Sequence, residues 1–290
     1  MTTRLFILKI YKGLVRKFTG YGLIKLYPVR VVYTFINSLL IPKYAIVDGH
    51  KIFLDSQDSL NFSSGENYKP TETEVFKKEI SLGNTVLDIG ANIGDDTLVL
   101  AKLVGNRGRI YAFEPDPDNF RLLKKNVLVN KYKNVVLINK AVSDKNGIIK
   151  LFLSDNNKAD HRIYDPENKR KYVEVGMISL DSYFKSKRTK IDVVKIDIQG
   201  AEMLAFKGMK RLLKNNKNCK ILTEFWPIGL KRAGSSAKEC LSFIRGMGYS
   251  ISYLDEKKSQ VIKVSDNYLL KNFTEKKENF ANLICIKTNR

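Results

Sequence analysis

The run Thr85-Val86-Leu87-Asp88-Ile89 breaks directly into Gly90-Ala91-Asn92-Ile93-Gly94 and then into the helix-compatible stretch that starts at Asp95. A short, largely apolar run of this kind is a buried strand, and a helix is predicted over 95–104. Glycines between the two let the backbone turn sharply and approach a ligand with no Cβ in the way. Strand, glycine turn and helix form the opening unit of an open α/β sheet, in which ligands bind beyond the carboxyl ends of the strands.

The unit then repeats. Strands predicted over 109–113, 134–138, 191–196 and 220–224 alternate with helices over 118–130, 201–213 and 236–246. Strands this uniformly apolar belong to a mostly parallel sheet covered on both faces. The last two strands, 249–253 and 281–286, have no strong helix between them and predict antiparallel pairing at one edge. Segments 147–153 and 171–177 read as extra strands around a polar loop, 154–170. Ahead of the sheet, 45–54 reads as a hairpin turning at Asp48-Gly49, 56–70 as a polar loop, and 71–80 as a helix capped by Thr71 or Thr73. The predicted class is α/β, a Rossmann-like, mostly parallel sheet with an antiparallel edge strand. It spans 45–290, with a small hairpin-and-loop subregion at 45–80, and 43% hydrophobic residues suffice for its core.

Residues 1–44 form a separate, basic extension. No acidic residue precedes Asp48, whereas Arg4, Lys9, Lys12, Arg16, Lys17, Lys25, Arg30 and Lys43 are interspersed with apolar runs. No uncharged apolar run reaches the length that spans a bilayer, and the start lacks the features of a signal peptide. A helical extension is predicted, either packed on the domain or lying on an anionic membrane. Cys219, Cys240 and Cys285 form neither a CxxC pair nor a zinc pattern, which fits a reducing, cytoplasmic compartment and a site without metal.

The glycine loop departs from the dinucleotide fingerprint, because Asn92 stands where the middle glycine would admit a pyrophosphate. The acids Asp88, Asp95 and Asp96 suit a cationic nucleoside such as S-adenosylmethionine better than a diphosphate. Glu114 ends the second strand about twenty residues later, where a carboxylate can accept ribose hydroxyls. After the third strand, Val142 can lie against an adenine ring, with Ser143 at its edge. Asp197 ends the fourth strand facing the same cleft, with helix capping as a compatible second role.

Taken together, Val86 to Gly94 (VLDIGANIG), Tyr111 to Asp116 (YAFEPD), Ala141 to Asp144 (AVSD), Lys195 to Glu202 (KIDIQGAE) and Leu222 to Pro227 (LTEFWP) resemble the FkbM-type family of S-adenosylmethionine-dependent methyltransferases. With Tyr68 to Thr73 (YKPTET), the resemblance covers 45–290. It implies a class I methyltransferase fold, S-adenosylmethionine as cofactor, and methyl transfer to an acceptor oxygen, often on a sugar or polyketide-like product; the expected acceptor is a hydroxyl of a sugar, glycan or lipid-linked small molecule. On the matching positions it implies cofactor contacts from Tyr68, Glu72, Asp88, Gly90, Asn92, Gly94, Glu114, Val142, Ser143 and Asp197. Lys69 stands where the family often has an acid, and Asp95-Asp96 replace residues that are commonly aromatic.

A hydroxyl acceptor benefits from a base within hydrogen-bond reach, and Asp197 and His161 are the candidates. Gln199, Glu202 and Glu224 are candidate substrate contacts. The net charge of +21 raises RNA as an alternative acceptor, but the basic residues lack the interleaved aromatics of a base-stacking platform. A non-catalytic cofactor-binding protein is a further alternative, against which the intact Asp88, Glu114 and Asp197 speak.

Overall fold

Eight strands form one sheet whose middle reads as the sequence predicts. The computed structural model describes residues 39–64, 69–155, 157–165 and 169–288, together with Val32 and Ile36. The chain opens with a hairpin, β1 (Tyr44–Val47) and β2 (His50–Phe53), followed by a 3-10 turn at Phe62–Ser64 and helix α1 (Pro70–Glu79). Then come β3 (Thr85–Ile89), α2 (Asp95–Val104), β4 (Arg109–Phe113), α3 (Pro117–Val129) and β5 (Val135–Ile138). Strands β6 (Ala141–Val142), β7 (Gly147–Phe152) and β8 (Tyr172–Ile178) form a separate small sheet in the order β6-β8-β7. The remainder runs α4 (Leu180–Tyr183), β9 (Val193–Ile196), α5 (Glu202–Gly208), α6 (Lys210–Asn215), β10 (Lys220–Phe225), α7 (Pro227–Arg232), α8 (Ala237–Gly246), β11 (Tyr249–Asp255), β12 (Gln260–Lys263), α9 (Asp266–Asn272) and β13 (Ala281–Lys287).

The large sheet has the order β12-β11-β13-β10-β9-β3-β4-β5. Strands β10, β9, β3, β4 and β5 are parallel, while β13 runs antiparallel between β10 and β11, and β12 closes the edge antiparallel to β11. The predicted antiparallel pairing thus lies at one end of the sheet, with the last strand of the chain inserted inside that end.

Strand alternation sorts the core into two layers. Leu87, Ile89, Phe113, Val194 and Ile196 pack with Met203, Phe206 and Leu213 on one face. Val86, Ile110, Ala112 and Val193 pack with Phe76, Leu98, Ala101 and Leu123 on the other, which the hairpin extends through Ile52. Burying one such Leu or Phe contributes about 1.5–3 kcal/mol. The same alternation puts Asp88 and Lys195 on the second face, where they are register partners in β3 and β9.

Three local expectations give way. Helix α1 starts from Lys69 with Pro70 in its first turn, and neither threonine caps it: Thr73 Oγ1 donates to the Lys69 carbonyl at 3.1 Å. The helix expected over 201–213 is two short helices, because the fully buried Met209 leaves the helical region at φ −123°. Asp197 caps no helix, since α5 begins at Glu202 and the intervening residues make a tight turn. Of the extension at 1–44, most lies outside the described residues; Val32, Ile36, Leu39 and Leu40, which are described, are helical. Among the described residues, no helix is long and apolar enough to cross a membrane.

Candidate active site

The glycine loop after β3 and the turn after β9 meet at the carboxyl edge of the sheet. Gly90 sits at φ +82°, and a Cβ there would lie 1.9 Å from the Asp197 carbonyl oxygen, so this crossing requires glycine. Asn92 takes the left-handed region at φ +48°, one of the few side chains that do so readily, and its N–H donates to Glu114 Oε2 at 2.8 Å. Glu114 Oε1 accepts from the Asp116 N–H at 2.8 Å, and Asp116 in turn caps α3 through the Asn119 N–H. Burial pushes the Glu114 carboxyl up to about 8, outweighing the backbone N–H groups that favour its charge.

These groups wall one half of an open cleft of about 610 Å³, whose lining includes Phe113, Val142, Leu151, Ile163 and Ile198. An apolar slot ending in a buried carboxylate has the shape and polarity of a nucleoside site. Val142 lines it, while Ser143 is buried beside it and donates its N–H to the Ile178 carbonyl.

His161 lies in this half, away from the compartment beyond Asp197, and this corrects its expected role as base. Its Nδ1 accepts from the Ser154 N–H at 3.0 Å, which assigns the proton to Nε2, 3.9 Å from Asp116 Oδ2. Burial lowers its pKa, and the lone pair a base would use is already engaged.

The cleft continues past Asp197 and Gln199 into a larger, open compartment of about 1440 Å³. Here two lysines are held in carboxylates. Lys195 Nζ, nearly fully buried, lies 3.1 Å from both Asp88 Oδ1 and Asp96 Oδ2 and donates to the Gly90 carbonyl at 3.2 Å. Burial opposes that charge, yet Asp88 and Asp96 outweigh it and hold the ammonium well above its ordinary range. Lys69 Nζ lies 3.3 Å from Glu72, 3.5 Å from Asp96 and 3.7 Å from Asp197. Burial pushes Asp96 upward, but the two lysines prevail and hold it down to about 2. Asp95 and Glu72, for which burial dominates, are both pushed up to about 7.

Asp88 is fully buried beneath the loop, accepts from Thr97 Oγ1 at 2.5 Å, and pairs with Lys195, which lines the cleft. Asp197 is at the junction, with Oδ1 accepting from Gln199 Nε2 at 3.0 Å. Gln199 itself is held at φ +54° with its carbonyl accepting from Tyr164 Oη at 2.8 Å. The expected substrate contact from Glu202 becomes a structural one: it is fully buried, and Oε1 accepts from the Ile198 and Gly200 N–H groups, holding the turn that presents Asp197. Glu224 faces the larger compartment, as does Glu72. Tyr68 lies outside the described residues. Among the described residues, no group of three or more His, Cys, Asp or Glu is placed to hold a metal ion.

A family model described as Methyltransferase FkbM domain matches residues 88–251, from the buried aspartate of the glycine loop into β11. The chain belongs to the methyltransferase FkbM domain family. It is a methyltransferase whose methyl donor is S-adenosylmethionine. The YKPTET segment lies ahead of the matched span. Two curated relatives share the name "Probable cobalt-precorrin-6B C(15)-methyltransferase (decarboxylating)". That of Saccharolobus solfataricus is 30% identical over 142 residues, 47% of this chain and 68% of its own length. That of Sulfurisphaera tokodaii is 41% identical over 56 residues, 19% of this chain and 29% of its own length. The match therefore spans less than a third of the second relative. The solved structure of Methyltransferase FkbM from Methylobacillus flagellatus KT is similar with a TM-score of 0.43 and 14% identity, over 79% of this chain and 52% of that one.

The residues of this FkbM-type methyltransferase fit the cofactor. The slot against Val142 suits an adenine, the buried Glu114 carboxyl suits ribose hydroxyls, and the Lys69, Glu72, Asp96 and Asp197 cluster offers both charges to an amino-acid tail. Lys195, absent from the sequence-based candidates, belongs with them; its signal is a lysine inside the apolar run Val193-Val194-Lys195-Ile196.

Proposed function

We propose that this enzyme methylates a hydroxyl oxygen of a sugar, glycan or lipid-linked small molecule. The observation that carries this reading is the compartment beyond Asp197, whose lining combines carboxylates with the aromatic side chains Trp226 and Phe280. Aromatic side chains beside hydrogen-bond acceptors suit a polyhydroxylated guest. The cofactor supplies an electrophilic methyl group; the chain's part is to hold an acceptor oxygen in line and to receive its proton. Asp197, at the junction of the two halves, is the carboxylate placed for that proton. An RNA acceptor is disfavoured because the cations of the compartment are already paired with carboxylates.

The test is transfer of a labelled methyl group to a panel of oligosaccharides and lipid-linked sugars, with the product position read by NMR. An O-methyl product supports the reading, and an Asp197→Asn variant is expected to lose turnover even when saturated with cofactor. Methylation at carbon with loss of CO₂, the activity that the names of the curated relatives describe, would replace it.

A further inference from the structure

The charge of the acceptor compartment is opposite to that of the chain. The protein carries +21, yet among the described residues eight carboxylates line this compartment against three cationic side chains. Outside the Lys69, Glu72, Asp96 and Asp197 cluster assigned to the cofactor the lining is still acidic, with Asp95, Asp160, Glu224, Glu256 and Glu278 against Arg162 and Lys195. Each of those cations is engaged: Lys69 by Glu72, Asp96 and Asp197, Lys195 by Asp88 and Asp96, and Arg162 by Asp160 at 2.6 Å. Arg162 also lies against Trp226, 4.8 Å from the ring centroid. Among the described residues, an anionic guest therefore meets no cation in this lining that it could claim without breaking an existing pair.

Glu224 stands apart from this network. It lies near the end of β10, the strand beyond β9 on the side away from β4 and the nucleoside slot. Among the described residues, its Oε2 is buried without a hydrogen-bond partner. Burial, with Asp197 and Glu202 nearby, pushes its pKa well above the ordinary carboxylate range. A buried carboxyl oxygen without a partner is costly and calls for an explanation, and in a residue that lines an open compartment a bound cation supplies one. At the mouth, Glu256, Glu278 and the half-exposed Phe280 line the same compartment.

We infer that the acceptor carries a protonated amine beside the hydroxyl to be methylated, as on an amino sugar, and that Glu224 receives this ammonium. The inference rests on the hydroxyl-methylation reading and deepens it. An ammonium beside Glu224 offsets the burial that raises its carboxyl, so the bound pair is carboxylate and ammonium; held in that pair, the amine lacks the lone pair that N-methylation would need, which leaves the hydroxyl as the nucleophile.

The test compares binding of two β-1,4-linked glucosamine tetramers, one with free amines and one fully N-acetylated, to the full chain loaded with S-adenosylhomocysteine, using a glucuronate tetramer as the anionic control. The free-amine tetramer is expected to bind about tenfold or more tightly than the acetylated one, since a charge-assisted bond to a buried group is the strong kind. Glu224→Gln, which preserves shape, is expected to bring the two within a few-fold while leaving S-adenosylhomocysteine affinity intact. Glu278→Gln, at the rim, is expected to reduce the ratio only slightly. Equal binding of the two tetramers, preference for the acetylated or the anionic one, or no binding of the free-amine tetramer overturns the inference. O-methylation of the acetylated tetramer without any preference would overturn it while leaving hydroxyl methylation standing; methylation on carbon or nitrogen would instead remove the reading beneath it.

Discussion

Lys69 Nζ lies 3.5 Å from Asp96 Oδ2, so the residue at the start of α1 and the first turn of α2 are joined by one ion pair. The lysine of the segment ahead of α1 and the acid in the first turn of α2 offset each other beside the cofactor's amino-acid end. Removing either alone would leave the other's charge less compensated there. Lys69→Glu is expected to weaken S-adenosylmethionine binding about tenfold or more. Adding Asp96→Phe is expected to recover part of that loss, with a coupling of about 0.5–3 kcal/mol in a double-mutant cycle read by calorimetry. Strict additivity would show that the two side chains act independently.

Lys195 compensates two buried carboxylates at once, so its removal is costly. Lys195→Met keeps the stem but leaves Asp88 and Asp96 without their shared cation. Breaking a buried pair costs about 3–5 kcal/mol, and a loss of this order is expected in urea denaturation. A loss below about 1 kcal/mol, the range of surface pairs, would mean that these carboxylates are stabilised by other means.

Gly90 and Gly246 make opposite test positions. Alanine at Gly90 would drive its Cβ into the Asp197 carbonyl and occupy φ +82°, so Gly90→Ala is expected to abolish cofactor binding and to lower stability. Gly246 ends α8, and a methyl group there would have no neighbour within 4 Å, so Gly246→Ala is expected to leave binding unchanged and to raise stability by up to about 1 kcal/mol. Thermal melts with and without cofactor separate the two outcomes.

Glu114 gives a pH signature. A carboxyl raised from 4.5 to about 8 keeps its proton in the fold where the unfolded chain has released it. The folded state then binds more protons, and stability of the unliganded enzyme falls as pH rises between those values. Asp95, Glu72 and Glu202, each raised to about 7, act in the same direction. Glu114→Gln is therefore expected to flatten part of the decline between about pH 6 and 8. The native enzyme should also bind S-adenosylmethionine more tightly as pH rises through about 8, because the ionised carboxylate is the better acceptor of ribose hydroxyls. An unchanged slope in the variant would mean that Glu114 does not titrate in this range.

The glycine loop, the carboxylate following β4 and the order of strands and helices were legible because each is written in contiguous residues with a steric or periodic cause. Lys195 was not, because its counter-ion role follows from the β3–β9 register, which sets it beside Asp88 from a distant stretch of chain. His161 looked like a base because a loop sequence does not disclose that the Ser154 N–H occupies Nδ1. Glu202 shares a motif with Asp197 but faces the backbone of its own turn, a distinction set by the left-handed Gln199 and by Gly200. The boundaries between helix and turn at Met209 and Asp197 likewise depend on packing that no local propensity records.

If the cleft between the glycine loop, Glu114 and Asp197 binds S-adenosylmethionine, removing the Glu114 carboxyl must weaken that binding. Calorimetric titration of the full chain and its Glu114→Ala variant tests this most directly. One-site binding by the native chain, weakened about tenfold or more in a variant that remains folded, is the expected result. Equal affinity in the two proteins, or no binding by the native chain, would contradict it.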